Sequence, residues 1–310
     1  MGMSAFTLDS EMSAFIDKYL DASGLSISKP IEQQRADYNR LVQTFRSPRP
    51  DFITSRDALL NGRHGPIPIR RYQHTQSDTP ARILFLHGGG FMLGNLETHD
   101  DVCADICAAT RCELVSVNYR HAPEFLHPVQ IDDVEDALCA EWHENLILVG
   151  ISAGGTLAAG TSHRLRLSPQ KAAAQVLVYP SLGGDLLGLE SYRIHAHAPL
   201  LSTEDVRFYR NIRCREETQP DDDPEFYPLS AQDFGGLPPT VVISADIDPL
   251  RDDSEFYARK LQNAGIEARW INQPGLVHDF IRARHFSERA RQAFADITTS
   301  IVQLANRQSA

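Results

Sequence analysis

What this sequence lacks narrows it first. No apolar run in the 310-residue chain approaches the roughly 18 residues that a membrane span requires. Lys and Arg nowhere gather into a phosphate-neutralising patch, and a formal net charge of −11 points away from nucleic acid as a partner. The opening "MGMSAFTLDS" has no basic segment leading into an apolar one, so it does not read as a secretory leader. It starts like a myristoylation signal, but Phe6 stands where that signal needs Ser or Thr. The five cysteines (Cys103, Cys107, Cys112, Cys139 and Cys214) are odd in number and lack any CxxC or CxH pairing. That argues against a disulfide framework and for reduced thiols in a cytoplasmic protein. The 103/107/112 spacing hints at a metal, yet Cys103 and Cys107 read better as small apolar residues on one helix face. Internal repeats and low-complexity tracts are missing too.

What is present is an ordinary globular composition, 42% hydrophobic and 23% charged. The length suffices for a sizeable core. Six short runs rich in Val, Ile and Leu read as strands covered on both faces: 81–87, 113–120, 145–150, 174–180, 240–246 and 267–273. Helical patterns lie between them at about 99–110, 130–143, 153–167, 252–264 and 286–306. This alternation predicts an α/β fold with a mostly parallel central sheet and helices on both sides. Ahead of it, "FITSRDALL" and "PIPIRRYQ" flank "NGRHG" and predict a leading β-hairpin. Two stretches break the rhythm. Residues 1–46 read as amphipathic helices, and residues 183–230 form an insert too long to be a structureless loop. Both are expected to build a helical cap over one sheet edge, where ligands of such sheets bind.

Within "LILVGISAGGTLAAG", Gly150-Ile151-Ser152-Ala153-Gly154 is a G-x-S-x-G at a strand-to-helix junction. A serine that projects its hydroxyl above the sheet takes a strained backbone, and the turn leaves room only for small residues two positions either side. The following helix N-terminus aims free N–H groups and a positive dipole end at the same place. His87-Gly88-Gly89-Gly90 follows another strand, and consecutive glycines let main-chain N–H groups turn inward toward an anion. The expected oxyanion donors are the N–H groups of Gly89, Gly90 and Ala153.

A serine nucleophile needs a base, and the base an orienting acid; on such sheets the chain order is Ser, acid, His. After the strand "TVVISAD", Asp248 is the choice of acid, in a loop stiffened by Pro249, with Asp246 its main rival. Asp252 and Asp253 suit the first turn of the next helix. For the base, His278 in "NQPGLVHDF" is expected in a loop after a Pro-Gly turn. His285, His163, His195 and His197 are the alternatives on spacing.

These residues together resemble the bacterial hormone-sensitive-lipase-like esterases of the α/β-hydrolase fold. The resemblance runs from about residue 50 to the end, through "HGGGFMLGN", "VSVNYRHAPE", "GISAGG", "SYRIHAHAPLLS", "FGGLPPTVVISADIDPLRDD", "FYARKLQNAGIEARW" and "VHDF". It implies Ser152 as nucleophile, Asp248 as acid, His278 as base, and Gly89, Gly90 and Ala153 as oxyanion donors. It further implies hydrolysis of carboxylic esters with short to medium acyl chains, no cofactor or metal, a small-molecule ester as partner, and room for a homodimer. The domain reading is residues 1–50 and 183–230 as cap, with 51–182 and 231–310 as the two parts of the catalytic core. Four departures stand out. Ile151 occupies a position usually Asp or Thr, Asn118 replaces the Asp of a "DYR" motif, Asp279 replaces a Gly after the histidine, and the segment before residue 145 is short. An amidase or deacetylase with the same residues, and a non-catalytic small-molecule receptor of the same fold, are the rival readings. The cap stretch "TEDVRFYRNIRCREE" is charged, which speaks against a long-chain lipase lid; its Phe208 and Tyr209 either narrow a pocket or pack the cap onto the sheet.

Overall fold

Side chains alternate between the two faces of a strand, and cover on both faces keeps the central strands short and apolar throughout. The computed structural model describes residues 8–77, 79–215, 220 and 222–307. Its eight strands form one sheet: β1 (Ile53–Gly62), β2 (Gly65–His74), β3 (Arg82–Leu86), β4 (Glu113–Val117), β5 (Leu146–Ile151), β6 (Ala174–Val178), β7 (Thr240–Ile247) and β8 (Ala268–Val277). Their spatial order is β1-β2-β4-β3-β5-β6-β7-β8. The leading hairpin is antiparallel, joined by Arg63 and His64, and β2 pairs antiparallel with β4; every later pairing is parallel. This is the α/β-hydrolase fold.

Nine α-helices complete the described residues: α1 (Ser10–Ser23), α2 (Ile31–Phe45), α3 (Asp100–Thr110), α4 (Val129–Ala140), α5 (Ala153–Leu165), α6 (Ser191–Ile194), α7 (Thr203–Asn211), α8 (Arg251–Asn263) and α9 (Glu288–Arg307). The strands divide the core in two. Ile83, Phe85, Ile147, Val149, Val176 and Ile243 face the cluster that holds α1, α2, α3 and α9. Leu84, Leu86, Leu148, Leu177 and Val242 face the cluster that holds α4, α5 and α8. Cys103 and Cys107 are buried in the first of these on α3, as small apolar residues would be. All five cysteines are free.

Three details depart from the sequence reading. The "ELVSVNYR" run is strand only to Val117, after which Asn118–Arg120 turns away. The Pro274-Gly275 pair is not a turn before a loop. It lies inside β8 as an irregularity, where pairing passes from Ala245↔Gln273 to Ile247↔Val277, so that His278 follows directly on the strand. The insert 183–230 is also less helical than expected: α6 and α7 span four and nine residues among the described ones. Residues 1–7 of the leading segment, and 216–219 and 221 of the insert, lie outside the described residues. No helix among the described residues is long and apolar enough to cross a membrane.

Candidate active site

The strand-to-helix junction after β5 shows why only small residues flank Ser152. A Cβ on Gly150 would lie 2.3 Å from the Gly154 carbonyl oxygen, and one on Gly154 would lie 2.1 Å from that of Leu86. Ser152 itself takes φ 53° and ψ −118°. A non-glycine residue reaches such a conformation only where its surroundings over-determine it. Here the Ser152 N–H donates to the Val178 carbonyl at 2.9 Å, and α5 begins at once with Ala153. Ile151, one of the four departures, is buried in the core on the last residue of β5 and reaches no polar role.

The structure brings three of the singled-out side chains into one hydrogen-bonded line. Ser152 Oγ is 2.9 Å from His278 Nε2. His278 Nδ1 is 2.7 Å from Asp248 Oδ2. Asp248 lies fully buried in the short loop between β7 and α8, and its other oxygen accepts from the Leu250 N–H at 2.9 Å. A carboxylate only accepts, so Nδ1 carries the proton and the Nε2 lone pair faces the serine hydroxyl. Burial by itself pushes the His278 pKa down. The charge and hydrogen bond of Asp248, joined by the charge of Asp279, outweigh it and hold His278 above its ordinary 6.5. The Tyr179 ring packs 4.6 Å from the imidazole, centroid to centroid, and limits its tilt.

The competing acids and bases are engaged elsewhere. Asp246 accepts from Asn272 Nδ2 at 2.9 Å and from the Gly275 N–H at 3.1 Å, which holds the β8 irregularity. Asp252 accepts from the Ser191 N–H and Asp253 from the Leu182 N–H, tying α8 to the insert. Burial pushes Asp253 up to about 7. His285 meets Asp105, His163 meets Tyr257, and His195 meets Arg251, while His197 is exposed.

The glycine-rich loop lies against the same cavity. His87 is fully buried and, by burial first, kept neutral with its pKa lowered to about 3. Its ring stacks on Tyr119 at 4.3 Å, and the Tyr119 hydroxyl donates to the His87 carbonyl at 2.8 Å. Gly89 takes φ 127°, and a Cβ there would lie 2.2 Å from the Leu93 carbonyl oxygen. Among the described residues the Gly89 and Gly90 N–H groups donate to no protein acceptor, and Ala153 starts α5, where no intrahelical acceptor exists. Gly89→Ala is expected to collapse this turn and lower kcat by about 10²–10³, the usual cost of one lost oxyanion donor, with KM changing far less. Steady-state kinetics on p-nitrophenyl butyrate checks it.

The cavity encloses about 90 Å³. Its walls include Tyr19 from α1, Tyr38 from α2, Val206 and Tyr209 from α7, and Asp279 beside His278. Tyr209 narrows the pocket at Gly90, where a Cβ would meet its ring at 2.3 Å, and it also packs on both core clusters. Phe208 only packs. No motif marks Tyr19 and Tyr38; only tertiary folding of α1 and α2 brings them here. A further group, His127 with Asp223 and Glu225, has its ligand atoms within 4.8 Å of one another. It is engaged by its own ion pairs, and Arg164 holds Glu225.

Comparison with known proteins sets the chain beside esterases of the same fold. A family model described as the alpha/beta hydrolase fold matches residues 83–282. An arylesterase of Saccharolobus solfataricus is 30% identical over 288 residues, covering 88% of this chain and 92% of that one. An ethyl acetate hydrolase of Pseudomonas putida is 30% identical, covering 82% and 83%. The structure of a hyperthermophilic esterase from the archaeon Pyrobaculum calidifontis superposes with a TM-score of 0.87 at 28% identity, over 96% of this chain and 99% of that one.

Proposed function

The chain belongs to the hormone-sensitive-lipase-like family of the α/β-hydrolase fold and is a carboxylic ester hydrolase, and on that premise we propose that it cleaves short- to medium-chain esters through an acyl-enzyme on Ser152. The observation that carries the reading is the unbroken line from Ser152 Oγ to His278 to Asp248, at 2.9 and 2.7 Å.

In this mechanism Oγ attacks the ester carbonyl as His278 Nε2 takes its proton. Asp248 holds the Nδ1–H tautomer and stabilises the imidazolium that forms. The developing alkoxide is received by the N–H groups of Gly89, Gly90 and Ala153, which cost no reorganisation because the loop is already set. His278 then gives its proton to the departing alcohol, and a water repeats the cycle on the acyl-enzyme. The described parts of residues 1–50 and 183–230 act as a cap that shields the site, supported by the pocket walls drawn from α1, α2 and α7. The intact hydrogen bond to His278 speaks against a receptor that has lost its base. Five free thiols support a reducing, cytoplasmic setting.

The small cavity and the charged α7, with Glu204, Asp205, Arg207 and Arg210, support a short acyl chain. The ethyl acetate hydrolase relative supports it too. Across p-nitrophenyl esters, kcat/KM is expected to peak between acetate and hexanoate and to fall at least about tenfold at palmitate, a loss of about 1.4 kcal/mol of transition-state binding. A maximum at palmitate would overturn the acyl-chain reading. Faster cleavage of a matched anilide than of its ester would make the enzyme an amidase instead.

A further inference from the structure

Besides His278, the cavity wall has one ionisable acid or base of formal charge, and it is an acid. Among the described residues no Lys or Arg lines this pocket, whereas Asp279 does, with the phenol rings of Tyr19, Tyr38 and Tyr209. Asp279 takes φ 60° and ψ 20°, a left-handed conformation that Asp tolerates better than most side chains do. Oδ2 accepts from Arg282 Nε at 2.8 Å and from the Tyr19 hydroxyl at 3.3 Å. Oδ1 has no hydrogen-bond partner among the described residues.

The charge balance favours a cation. Arg282 is buried behind the wall and spreads its donors over Asp279, the Thr98 carbonyl and the Tyr38 hydroxyl. Against that guanidinium stand two carboxylates, Asp279 and the fully buried Asp248. The cavity lining itself thus carries a carboxylate and no Lys or Arg, and tyrosine rings beside a carboxylate suit an ammonium group. Position follows from the chemistry. His278 must protonate the departing alcohol oxygen, so the alcohol half of the ester passes His278, and Asp279 is the next residue.

We propose that the alcohol side of this pocket is a cation subsite, in which Asp279 Oδ1 and the rings of Tyr19, Tyr38 and Tyr209 receive an ammonium group carried by the alcohol half of the ester. The preferred substrates are then esters of amino alcohols. The inference rests on the reading of Ser152 and His278 as the acyl-transfer pair.

Acetylcholine and neohexyl acetate, its uncharged carbon isostere, separate charge from shape. Wild-type kcat/KM should favour acetylcholine by about tenfold, the scale of a desolvated cation beside aromatic faces and a carboxylate. Asp279→Asn and Asp279→Gly should bring the ratio close to one. Because Asp279 also acts on His278, both substrates slow together in the variants, and only the ratio reports the subsite. A wild-type ratio of one or less, or a ratio unchanged in the variants, would overturn the proposal. Choline and neohexanol as competitive inhibitors of the wild-type enzyme give a readout that needs no variant: choline should bind about tenfold tighter, and equal inhibition would sink the subsite. Cleavage of p-nitrophenyl butyrate tests the ester-hydrolase reading separately. Should that cleavage be missing, choline binding measured by calorimetry still decides the subsite.

Discussion

Ser152→Ala is expected to lower kcat on p-nitrophenyl butyrate by about 10⁶ while leaving the fold intact, the scale seen when a serine hydrolase loses its nucleophile. The physical case is local. Alanine keeps the Cβ and the same strained backbone at φ 53°, and the Ser152 N–H bond to Val178 does not involve the side chain. What disappears is the one oxygen that lies 2.9 Å from His278 Nε2. Thermal unfolding should therefore shift little. The residual rate over water, about 10³–10⁴-fold, should come from the main-chain donors and substrate positioning alone. A variant that retains even a hundredth of wild-type turnover would remove Ser152 from the chemistry. Loss of labelling by a fluorophosphonate, against clean labelling of the wild type, is the independent check.

Asp248→Asn is expected to cost about 10⁴ in kcat, because an amide at this position offers an N–H to Nδ1 and stabilises the wrong imidazole tautomer. It should also move the pH profile, and the sign follows from the forces on His278. The base acts only when neutral, so kcat/KM rises as pH passes upward through its pKa. In the wild type that midpoint lies above 6.5, since the Asp248 charge and hydrogen bond overcome burial. Removing both leaves burial dominant, and the acid limb should move to lower pH even as the maximum collapses. A merely destabilised enzyme would lose activity without that displacement. An unchanged limb would show that the imidazole takes its field from another group.

Much of this arrangement was legible before folding, and the reasons are particular. The strands β3, β5, β6 and β7 stood out because both faces are covered, so nearly every residue in them is apolar. Gly150 and Gly154 were readable because contacts at 2.3 and 2.1 Å forbid any side chain. Loop position favours Asp248 over Asp246, and the structure adds a contact reason: Asp246 is spent on Asn272 and Gly275, six and three residues before His278, and is turned to the strand. The Pro274-Gly275 pair misled, because proline and glycine interrupt a strand locally as readily as they end it. The insert's sparse helix was equally hidden: α6 is held by Asp252 through the Ser191 N–H, a contact sixty-one residues away in sequence.

By itself the sequence determined the sheet, the sharp turn at Ser152, the glycine loop and the order in which Ser152, Asp248 and His278 appear. Each of these is dictated by short-range sterics and by the period of apolar residues, which neighbours in the chain settle among themselves. Only the tertiary structure decided the pocket. Tyr19, Tyr38, Tyr209 and Asp279 come from four separate elements, and no local pattern distinguishes an aromatic that packs, like Phe208, from one that faces a cavity, like Tyr209. That choice depends on how α1, α2 and α7 settle over the sheet, because a pocket is the space that packing leaves over rather than a property of any one segment.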